Sequence, residues 1–458
     1  MADSLPDAAE IDRAKAIVST FRLSEGVYLL GSLEKGVTVY SQQVRAHNLA
    51  WALWVLNNSP PGHRPGCRNY NPNNAITGGG PSIAIIGAGI AGLTTAACIM
   101  SLLPQARITL FERTWDLCPL QLGCDSRWLH PRIYTWPLPG SRAPSASLPL
   151  LTWQEGRASD VAHQVLTQFA GISREHKHVS FFIGVDYLRI SATSKSIEWA
   201  GRQGIRRDQY IGAGDRYGGS GEFDAIVLAA GFGLETPSAK YQTPSYWRPD
   251  RLAEPTLDGS TRSFIVSGYG DGGVVDLCRL TVERFRQDRI IDDLFGADLE
   301  KAEAALLGVY ESARKGANIY DELSALETTV LKRPLDRLSE RIRKDTRVVF
   351  HVSGRKDSPN SAIRDVFGPS SSFLNRLLVY LLYRSGAFAP SFDHLEKVVD
   401  EYLVPPDRIV CRHGTQTTAH IERLFSDSVA IQPFLKAIGA TQGQSNLREW
   451  RPGVFCNV

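Results

Sequence analysis

Residues 82–113 read SIAIIGAGIAGLTTAACIMSLLPQARITLFER, and this stretch decides the fold of the chain. A short apolar run, Ile83–Ile86, leads into three glycines with the spacing G-x-G-x-x-G: Gly87, Gly89 and Gly92. A helical pattern of small residues begins at Leu93, and a second β-rich run, Arg107–Phe111, ends at Glu112. Strand, glycine turn, helix, strand and terminal acid in this order predict a βαβ unit that binds a dinucleotide.

Each feature of this turn has a physical role. Gly87 permits the tight turn, Gly89 lets the backbone approach a pyrophosphate, and Gly92 lets the helix pack closely on the strand. The helix N-terminus offers N–H groups and partial positive charge to phosphates. Glu112 follows Gly92 by 20 residues and can accept hydrogen bonds from ribose hydroxyls. The predicted ligand contacts here are Gly87, Ala88, Gly89, Ile90, Ala91, Gly92, Glu112 and Arg113.

A membrane helix is the main alternative for this stretch, because Ile83–Leu103 carries no charge and is long enough to span a bilayer. Three glycines in its first third, the following Pro104 and the immediate βαβ continuation fit a buried parallel strand and helix better. The sequence therefore predicts no transmembrane segment and no membrane partner.

Length and composition are those of a multidomain globular protein. The 458 residues favour two or three domains, and 43% hydrophobic with 22% charged residues is an ordinary balance. A net charge of +3 is too small to indicate a nucleic-acid partner. Seven cysteines without a C-x-x-C pair indicate reduced thiols in a cytoplasmic protein, and the N-terminus shows no signal peptide. No metal site is predicted.

Residues 1–57 are predicted to form a helix–hairpin–helix extension. Ala8–Phe21 has helical spacing, the runs GVYLLGS and VTVYS are strand-like around LEKG, and Gln42–Asn57 is an amphipathic helix. The extension either packs on the core, which is favoured, or docks a protein partner. Residues 58–81 are rich in Pro, Gly and Asn and are predicted to be a linker.

Residues 114–154 are long, aromatic and proline-rich, and irregular segments of this kind inside domains are usually functional. Arg127 is a candidate contact of the pyrophosphate, and His130 is the candidate for proton transfer in catalysis. Four aromatic side chains could line a site for a flat ring or an apolar substrate: Trp128, Tyr134, Trp136 and Trp153. In the alternative interpretation, favoured for His130, that histidine and the aromatic residues are structural.

The next segments alternate between helix and strand signals. A helix is predicted over 155–178 and strands over Val179–Val185 and Tyr187–Ala192, and a strand pair follows around the glycine-rich IGAGDRYGGSGEF. A buried strand, Ala225–Leu228, then closes in Ala-Ala-Gly at 229–231.

An early G-x-G-x-x-G unit with its ribose acid, followed much later by a strand closing in A-x-G, resembles flavoproteins of the glutathione-reductase-like superfamily. That class includes flavin monooxygenases, pyridine-nucleotide reductases and amine oxidases. The resemblance covers about residues 82–280 and implies FAD as the cofactor. It implies that Ala230 and Gly231 lie where the chain returns past the FAD nucleotide, with Val185 among the contacts. Ala230 stands where the family often has Thr.

A second G-x-G-x-x-G pattern consists of Gly268, Gly270 and Gly273. It follows the strand-like Phe264–Val266, and two interpretations remain open. In one, the turn binds NAD(P)H, with Arg355 and Lys356 near a 2′-phosphate. In the other, which is slightly favoured, Asp271 belongs to the family's late G-D motif and bonds the FAD ribitol, because its charge would repel a pyrophosphate.

The rest of the chain is predicted to be helix-rich. Residues 285–345 combine charge with apolar stripes and predict a solvated helical cap. A strand is predicted over Arg347–Val352, a helix over Ser371–Arg384 and a strand over Asp407–Cys411. His413 follows this last strand and either faces a ligand or, as favoured, is structural.

Together these patterns predict an α/β fold with a Rossmann-like FAD-binding domain over 82–280, a helix-rich C-terminal region over 281–458 and a small N-terminal α+β extension. The predicted function is FAD-dependent oxidoreduction of an unknown small molecule. The reaction is driven by NAD(P)H, as in a reductase or monooxygenase, or uses oxygen, as in an oxidase. The rival hypothesis is a non-catalytic flavin- or nucleotide-binding sensor or complex subunit.

Overall fold

The computed structural model describes residues 6–59 except 32, 34 and 35, then 80–204, 216–231, 241–352 except 242 and 244, 366–367 and 371–440. The strands are β1 (Arg22–Ser24), β2 (Val27–Leu29), β3 (Ser82–Ile86), β4 (Arg107–Glu112), β5 (Trp128–Leu129), β6 (Gly156–Arg157), β7 (Val179–Ser191), β8 (Ser196–Gly204), β9 (Arg216–Glu222), β10 (Ala225–Leu228), β11 (Arg262–Ser267), β12 (Thr346–His351), β13 (Ala389–Ser391) and β14 (Ile409–Cys411).

The helices are α1 (Ala8–Phe21), α2 (Val39–Asn57), α3 (Ile90–Leu102), α4 (Ala158–Glu175), α5 (Asp271–Thr281), α6 (Ile290–Phe295), α7 (Leu299–Arg314), α8 (Ile319–Ala325), α9 (Lys332–Glu340), α10 (Phe373–Arg384), α11 (Leu395–Tyr402), α12 (Thr417–Leu424) and α13 (Gln432–Ala440). Among the described residues, no helix is long and apolar enough to cross a membrane.

The first sheet has eight strands in the order β1-β2-β10-β3-β4-β7-β8-β9. The five strands from β2 to β7 in this order run parallel, whereas β1, β8 and β9 join by antiparallel pairing. Counted from β3, four of the parallel strands have the Rossmann order 3-2-1-4: β7, β4, β3 and β10. Strand β2, which precedes β3 in the chain, occupies the place next to β10 where that fold has its fifth strand. The predicted α/β fold is therefore confirmed.

The second sheet has four parallel strands in the order β13-β12-β11-β14. Counted from β11, this is again the order 3-2-1-4. Parallel neighbours need a crossover, and α5 to α9 lie between β11 and β12. The charged helical region predicted over 285–345 is thus an insertion inside the first crossover of this sheet, and the predicted strand at 347–352 is its second strand.

The N-terminal segment departs from the predicted hairpin. The α1 helix has the predicted bounds, but the hairpin pairs β1 with β2, and VTVYS begins α2. A reciprocal capping box between Thr38 and Ser41 starts this helix and outweighs the β-propensity of the valines and tyrosine. Because β2 pairs with β10 and α2 packs on α3, the segment belongs to the core of the first sheet. Docking of a partner through residues 1–57 stays a prediction.

Two strand predictions are corrected. The two strands predicted over 179–192 form one strand, β7, with irregular register between Ile183 and Tyr187. Half of the glycine-rich turn is strand β9. Residue 280, the predicted domain boundary, lies in α5, which follows the first strand of the second sheet, and the division into domains stays a prediction. Most of the predicted linker, residues 60–79, lies outside the described residues.

The burial of α2 leads to a stability prediction. Leu49 is fully buried on this helix, so Leu49→Ala should lower the free energy of unfolding by about 2–5 kcal/mol through lost packing and a cavity. Urea unfolding followed by tryptophan fluorescence measures the change. Lys15→Ala, on the exposed side of α1, is the control and should shift stability by no more than about 0.5 kcal/mol. A separate early transition with an unmoved main transition would contradict the placement of α2 in the core.

Candidate dinucleotide-binding site

The two glycine turns, after β3 and after β11, share one backbone geometry. Gly87 and Gly268 have φ of +101° and +116°, which favour glycine. A Cβ on Gly92 would overlap the Gly87 carbonyl oxygen, and a Cβ on Gly273 would overlap that of Gly268. The first and last glycine of each turn are therefore required by the protein's own packing.

The middle glycines differ from their neighbours. Gly89 and Gly270 are the N-caps of α3 and α5, with φ of −73° and −72°, values that any residue adopts. A Cβ at either position would meet no protein atom within 4 Å. The described structure gives no reason for glycine at these two positions, and each faces open space at a helix N-terminus, where a phosphate would approach.

Both turns open onto one cavity of about 1560 Å³, which is larger than the ~300–1,000 Å³ of most small-molecule pockets. The predicted contacts that line it are Gly87, Gly89, Ile90, Ala91, Glu112, Arg113, His130, Val185, Ala230, Gly231, Gly268, Gly270, Asp271 and Gly273. Ala88 and Gly92 lie behind the first turn instead. Of the predicted aromatic wall, Trp128, Tyr134 and Trp153 line the cavity, whereas Trp136 is fully buried and donates to Glu303.

Strands β10 and β14, which lie next to β3 and β11 on the side away from β4 and β12, end in the same way. Ala229–Gly231 follows β10 and Arg412–Gly414 follows β14, and in both tripeptides the last glycine has positive φ, +66° and +81°. A Cβ on Gly87 would press on the first carbonyl of the former, and a Cβ on Gly268 on that of the latter. Arg-His-Gly is thus the counterpart of Ala-Ala-Gly. The sequence alone does not reveal this match, because the two tripeptides have only the glycine in common.

Glu112 stabilises the first turn by hydrogen bonds to its backbone and to Thr114. Its Oε2 accepts from the Ala88 N–H at 2.8 Å, and its Oε1 accepts from the Thr114 N–H at 2.9 Å and hydroxyl at 3.0 Å. The carboxylate is 9% exposed and lines the cavity. A carboxylate offers about four lone pairs, so capacity remains for a hydroxyl of a ligand.

The second unit has no acid at the corresponding position. Gly87 N donates to the Phe111 carbonyl, and Gly268 N donates to the His351 carbonyl, so the residue after His351 corresponds to Glu112. That residue is the buried Val352, which cannot accept hydrogen bonds from a ribose through its side chain. Arg355 and Lys356 follow shortly after it and lie outside the described residues.

The structure gives less support to a late G-D motif at Asp271, which stays a prediction. The turn belongs to the second sheet, and no strand of the first sheet precedes it directly. The Asp271 carboxylate accepts from the Ser372 N–H at 2.8 Å and the Asn375 amide at 2.6 Å, at the start of α10. Burial raises its pKa, although these bonds oppose the rise. Hydrogen-bond donors at the start of α10 therefore stabilise the charge of Asp271. Repulsion between this carboxylate and a pyrophosphate is accordingly weaker than the sequence suggests.

Arg127 does not line the cavity, which corrects its predicted phosphate contact. Its guanidinium is buried, pairs with Asp276 and Asp250, and donates to the Tyr246 carbonyl. Arg279 donates to both carboxylates, at 2.6 Å to Asp250 and 3.0 Å to Asp276, and Arg412 donates to Asp276 at 2.8 Å. We call these residues the buried charge cluster: Arg127, Asp250, Asp276, Arg279 and Arg412. It joins the irregular segment after β4 to α5 and to the end of β14.

His130 lines the cavity but both ring nitrogens are engaged. Nδ1 accepts from the backbone N–H groups of Arg132 and Ile133 at 3.1 Å, and Nε2 lies 3.3 Å from the Glu155 carboxylate. Burial lowers its pKa. This arrangement supports the structural interpretation, since the ring ties the turn after Pro131 to its surroundings.

Solved structures that match this chain include a disulfide reductase, a protein solved with FAD and NADP, and a ketone monooxygenase. Bacillithiol disulfide reductase from Bacillus cereus has 11% identity and a TM-score of 0.34, covering 68% of this chain and 67% of that chain. The OTEMO complex with FAD and NADP has 15% identity and a TM-score of 0.34, covering 75% and 72%. Polycyclic ketone monooxygenase from Thermothelomyces thermophila has 12% identity and a TM-score of 0.34, covering 92% and 74%. No protein-family model and no curated protein matches the sequence.

The buried charge cluster leads to a prediction about stability and pH. Asp276→Asn should lower the free energy of unfolding at pH 7 by about 3–5 kcal/mol, because it leaves buried arginines without a full counter-charge. Burial opposes ionisation of Asp276, but the arginines prevail and hold its pKa well below the usual range. Its contribution is therefore present above the ordinary aspartate pKa of about 3.9 and lost as pH falls below it.

Urea titrations between pH 7 and pH 3 measure this effect. The wild type should lose more stability than Asp276→Asn as pH falls through 4, because the variant has no carboxylate to protonate. Asp400→Asn, which removes an exposed carboxylate from α11, is the matched control and should follow the wild type. Parallel pH curves for the wild type and Asp276→Asn would contradict the assignment.

Proposed function

We propose that this chain is an FAD-dependent oxidoreductase that binds FAD at the turn after β3 and a nicotinamide dinucleotide at the turn after β11. The observation that carries the proposal is the pair of middle glycines, Gly89 and Gly270. Each is a glycine that the fold does not require, at the N-terminus of a helix, and each faces the same cavity. Two such sites on one cavity would bring two dinucleotides together.

FAD suits the first turn because Glu112 can accept from ribose hydroxyls and disfavours a 2′-phosphate in the same place. The cavity also continues past β10 and β2 to the start of α2, where Leu30, Thr38 and Gln42 line it. Gln42 Oε1 is buried and has no hydrogen-bond partner among the described residues. The N-terminal segment would therefore form the far end of the FAD site, with an open acceptor for a donor on the cofactor.

A nicotinamide dinucleotide with a 2′-phosphate suits the second turn. Val352 replaces the ribose acid and removes the charge that would repel a phosphate, and Arg355 and Lys356 follow in the sequence. Arginine near this position is the usual means of accommodating the 2′-phosphate of NADP. We therefore infer a preference for NADPH over NADH.

When bound, FAD would supply the redox chemistry by taking up electrons from the nicotinamide and passing them on. The chain's own residues bind the phosphates at the N-termini of α3 and α5 and hold a ribose at Glu112. The cavity walls between the turns include Trp128, Tyr134, Tyr246, Trp247 and Tyr269. Such walls exclude water and suit an apolar or aromatic small molecule as the substrate.

Disulfide reduction receives no support from the cysteines. The sequence has no C-x-x-C pair, and the cysteines in the described residues are all buried: Cys98, Cys118, Cys124, Cys278 and Cys411. Burial raises the pKa of Cys98 and Cys278, which keeps both as unreactive thiols. A monooxygenase or a reductase of a small organic molecule is therefore the favoured class.

A matched pair of variants tests the two turns. Gly89→Val should abolish flavin binding, because the branched side chain would occupy the approach of the pyrophosphate, whereas its Cβ would meet no protein atom within 4 Å. Gly270→Val should retain the flavin and weaken NADP⁺ binding at least about tenfold, the effect of roughly 1.4 kcal/mol. The visible flavin spectrum and isothermal titration of the holoprotein with NADP⁺ measure the two effects.

Circular dichroism shows whether both variants stay folded. A folded Gly89→Val protein with full flavin absorbance would overturn the first assignment, and unchanged NADP⁺ affinity in Gly270→Val would overturn the second. A flavin-bound wild type that binds NADP⁺ but never oxidises NADPH would favour the alternative of a non-catalytic sensor.

The 2′-phosphate assignment has its own test. Arg355→Ala should raise the KM for NADPH about tenfold or more, since a charge-assisted hydrogen bond contributes about 1.5–3 kcal/mol, and should leave the KM for NADH unchanged. Steady-state oxidation of each dinucleotide with oxygen as acceptor gives both constants. Lys344→Ala, upstream of β12, is the control for loss of a basic residue. Equal effects of Arg355→Ala on the two dinucleotides would rule out a 2′-phosphate contact.

A further inference from the structure

A chain of hydrogen bonds runs across the carboxyl edge of the second sheet. His413 Nε2 lies 2.7 Å from Ser267 Oγ, and the same Oγ lies 2.7 Å from His351 Nδ1. His351 Nε2 then lies 2.8 Å from the Asp393 backbone carbonyl. Ser267 is the last residue of β11, His351 is the last residue of β12, and His413 lies two residues after the end of β14. Ser267 and His351 are buried, whereas His413 is exposed to the cavity.

The backbone carbonyl at one end fixes the direction of every bond. A carbonyl only accepts, so the single proton of a neutral His351 ring lies on Nε2, and its Nδ1 accepts from the Ser267 hydroxyl. With its one proton given to His351, Ser267 Oγ accepts from His413 Nε2–H. Burial lowers the pKa of both histidines, which favours the neutral forms. His413 is thus held in the tautomer whose Nδ1 is a hydrogen-bond acceptor.

The sheet order indicates which half of a dinucleotide lies beside His413. In this fold the acid position after the second strand contacts the adenosine ribose, and the pyrophosphate lies at the helix after the first strand. Those places correspond here to Val352 and to Gly270. The other nucleoside then lies across the switch point, beside the end of the fourth strand, β14, which is where His413 stands.

We propose that His413 accepts, at Nδ1, a hydrogen bond from an O–H or N–H donor of the nicotinamide nucleoside, and that Ser267 and His351 position it for this role. The inference rests on the proposed binding of a nicotinamide dinucleotide at the second turn. In this role His413 binds the nicotinamide half of the ligand directly, and Ser267 and His351 orient it. The sequence favoured a structural role for His413. The neighbouring Arg412 cannot take this role, because a guanidinium has no acceptor atom, and its Nε donates to Asp276 in the buried charge cluster.

Isothermal titration of the FAD-loaded protein tests this with two probes, NADP⁺ and 2′,5′-ADP, which lacks the nicotinamide nucleoside. In His413→Gln the side-chain amide reaches the place of Nε2, and in His413→Asn it reaches the place of Nδ1. His413→Gln should weaken NADP⁺ binding about tenfold, the effect of one hydrogen bond, and leave 2′,5′-ADP within about twofold. His413→Asn should stay within about threefold of the wild type for both probes.

Ser267→Ala is the second variant and leaves His413 in place. It frees the ring to adopt the other tautomer, so NADP⁺ affinity should fall about threefold to tenfold while 2′,5′-ADP affinity holds. Unchanged NADP⁺ affinity in His413→Gln and Ser267→Ala, or equal losses for both probes, would overturn the role of His413 alone. A wild-type holoprotein that binds neither NADP⁺ nor NAD⁺ would instead overturn the proposed function on which it rests.

Discussion

The structure depends on backbone contacts that leave no room for a side chain. At Gly87 the first strand, the helix and the fourth strand of the first sheet meet, and at Gly268 the same three elements of the second sheet meet. A helix can only begin this close to a strand end when the residues at the contact lack Cβ atoms. The contact also turns the N-terminus of each helix towards the cavity, so the packing constraint and the ligand geometry have one origin.

The two units share no sheet and are joined by the segment after β4, which contributes Ile133 and Trp136 to the apolar core of the second unit and Arg127 to the buried charge cluster. The buried charge cluster joins the segment after β4 to α5 and to the end of β14, with three arginines around two aspartates. Burying ions is costly, and removing one partner of such a cluster is strongly destabilising because it leaves an uncompensated buried charge. Asp276 of the cluster is on α5, and Arg412 contacts Gly268 of the second turn. The bonds of the cluster therefore also help to orient α5 towards the cavity.

The sequence predicted what local patterns encode. The G-x-G-x-x-G spacings, the strand at 225–228 and the helix at 8–21 each follow from adjacent residues, and all three are present. The sequence could not predict Arg127, because its partners lie more than a hundred residues away in the chain. The strand-like run GVYLLGS did predict β2, but its parallel pairing with β10, about 200 residues later, has no local signature. The correspondences of Val352 with Glu112 and of Arg-His-Gly with Ala-Ala-Gly emerge only from backbone contacts.

The pairing of β2 with β10 has a consequence for synthesis on the ribosome. Val27 finds its partner Ile226 only after nearly 200 further residues have been made, and α12 and α13 close the far side of the same unit still later, against Ile190. The second sheet, by contrast, is complete within residues 262–411. Contacts this distant in sequence form slowly. One edge of β2 therefore stays unpaired while most of the chain is made, although α2 can pack on α3 much sooner. An exposed strand edge is a template for wrong pairing, so an early need for chaperone protection of this edge is built into the order of the chain.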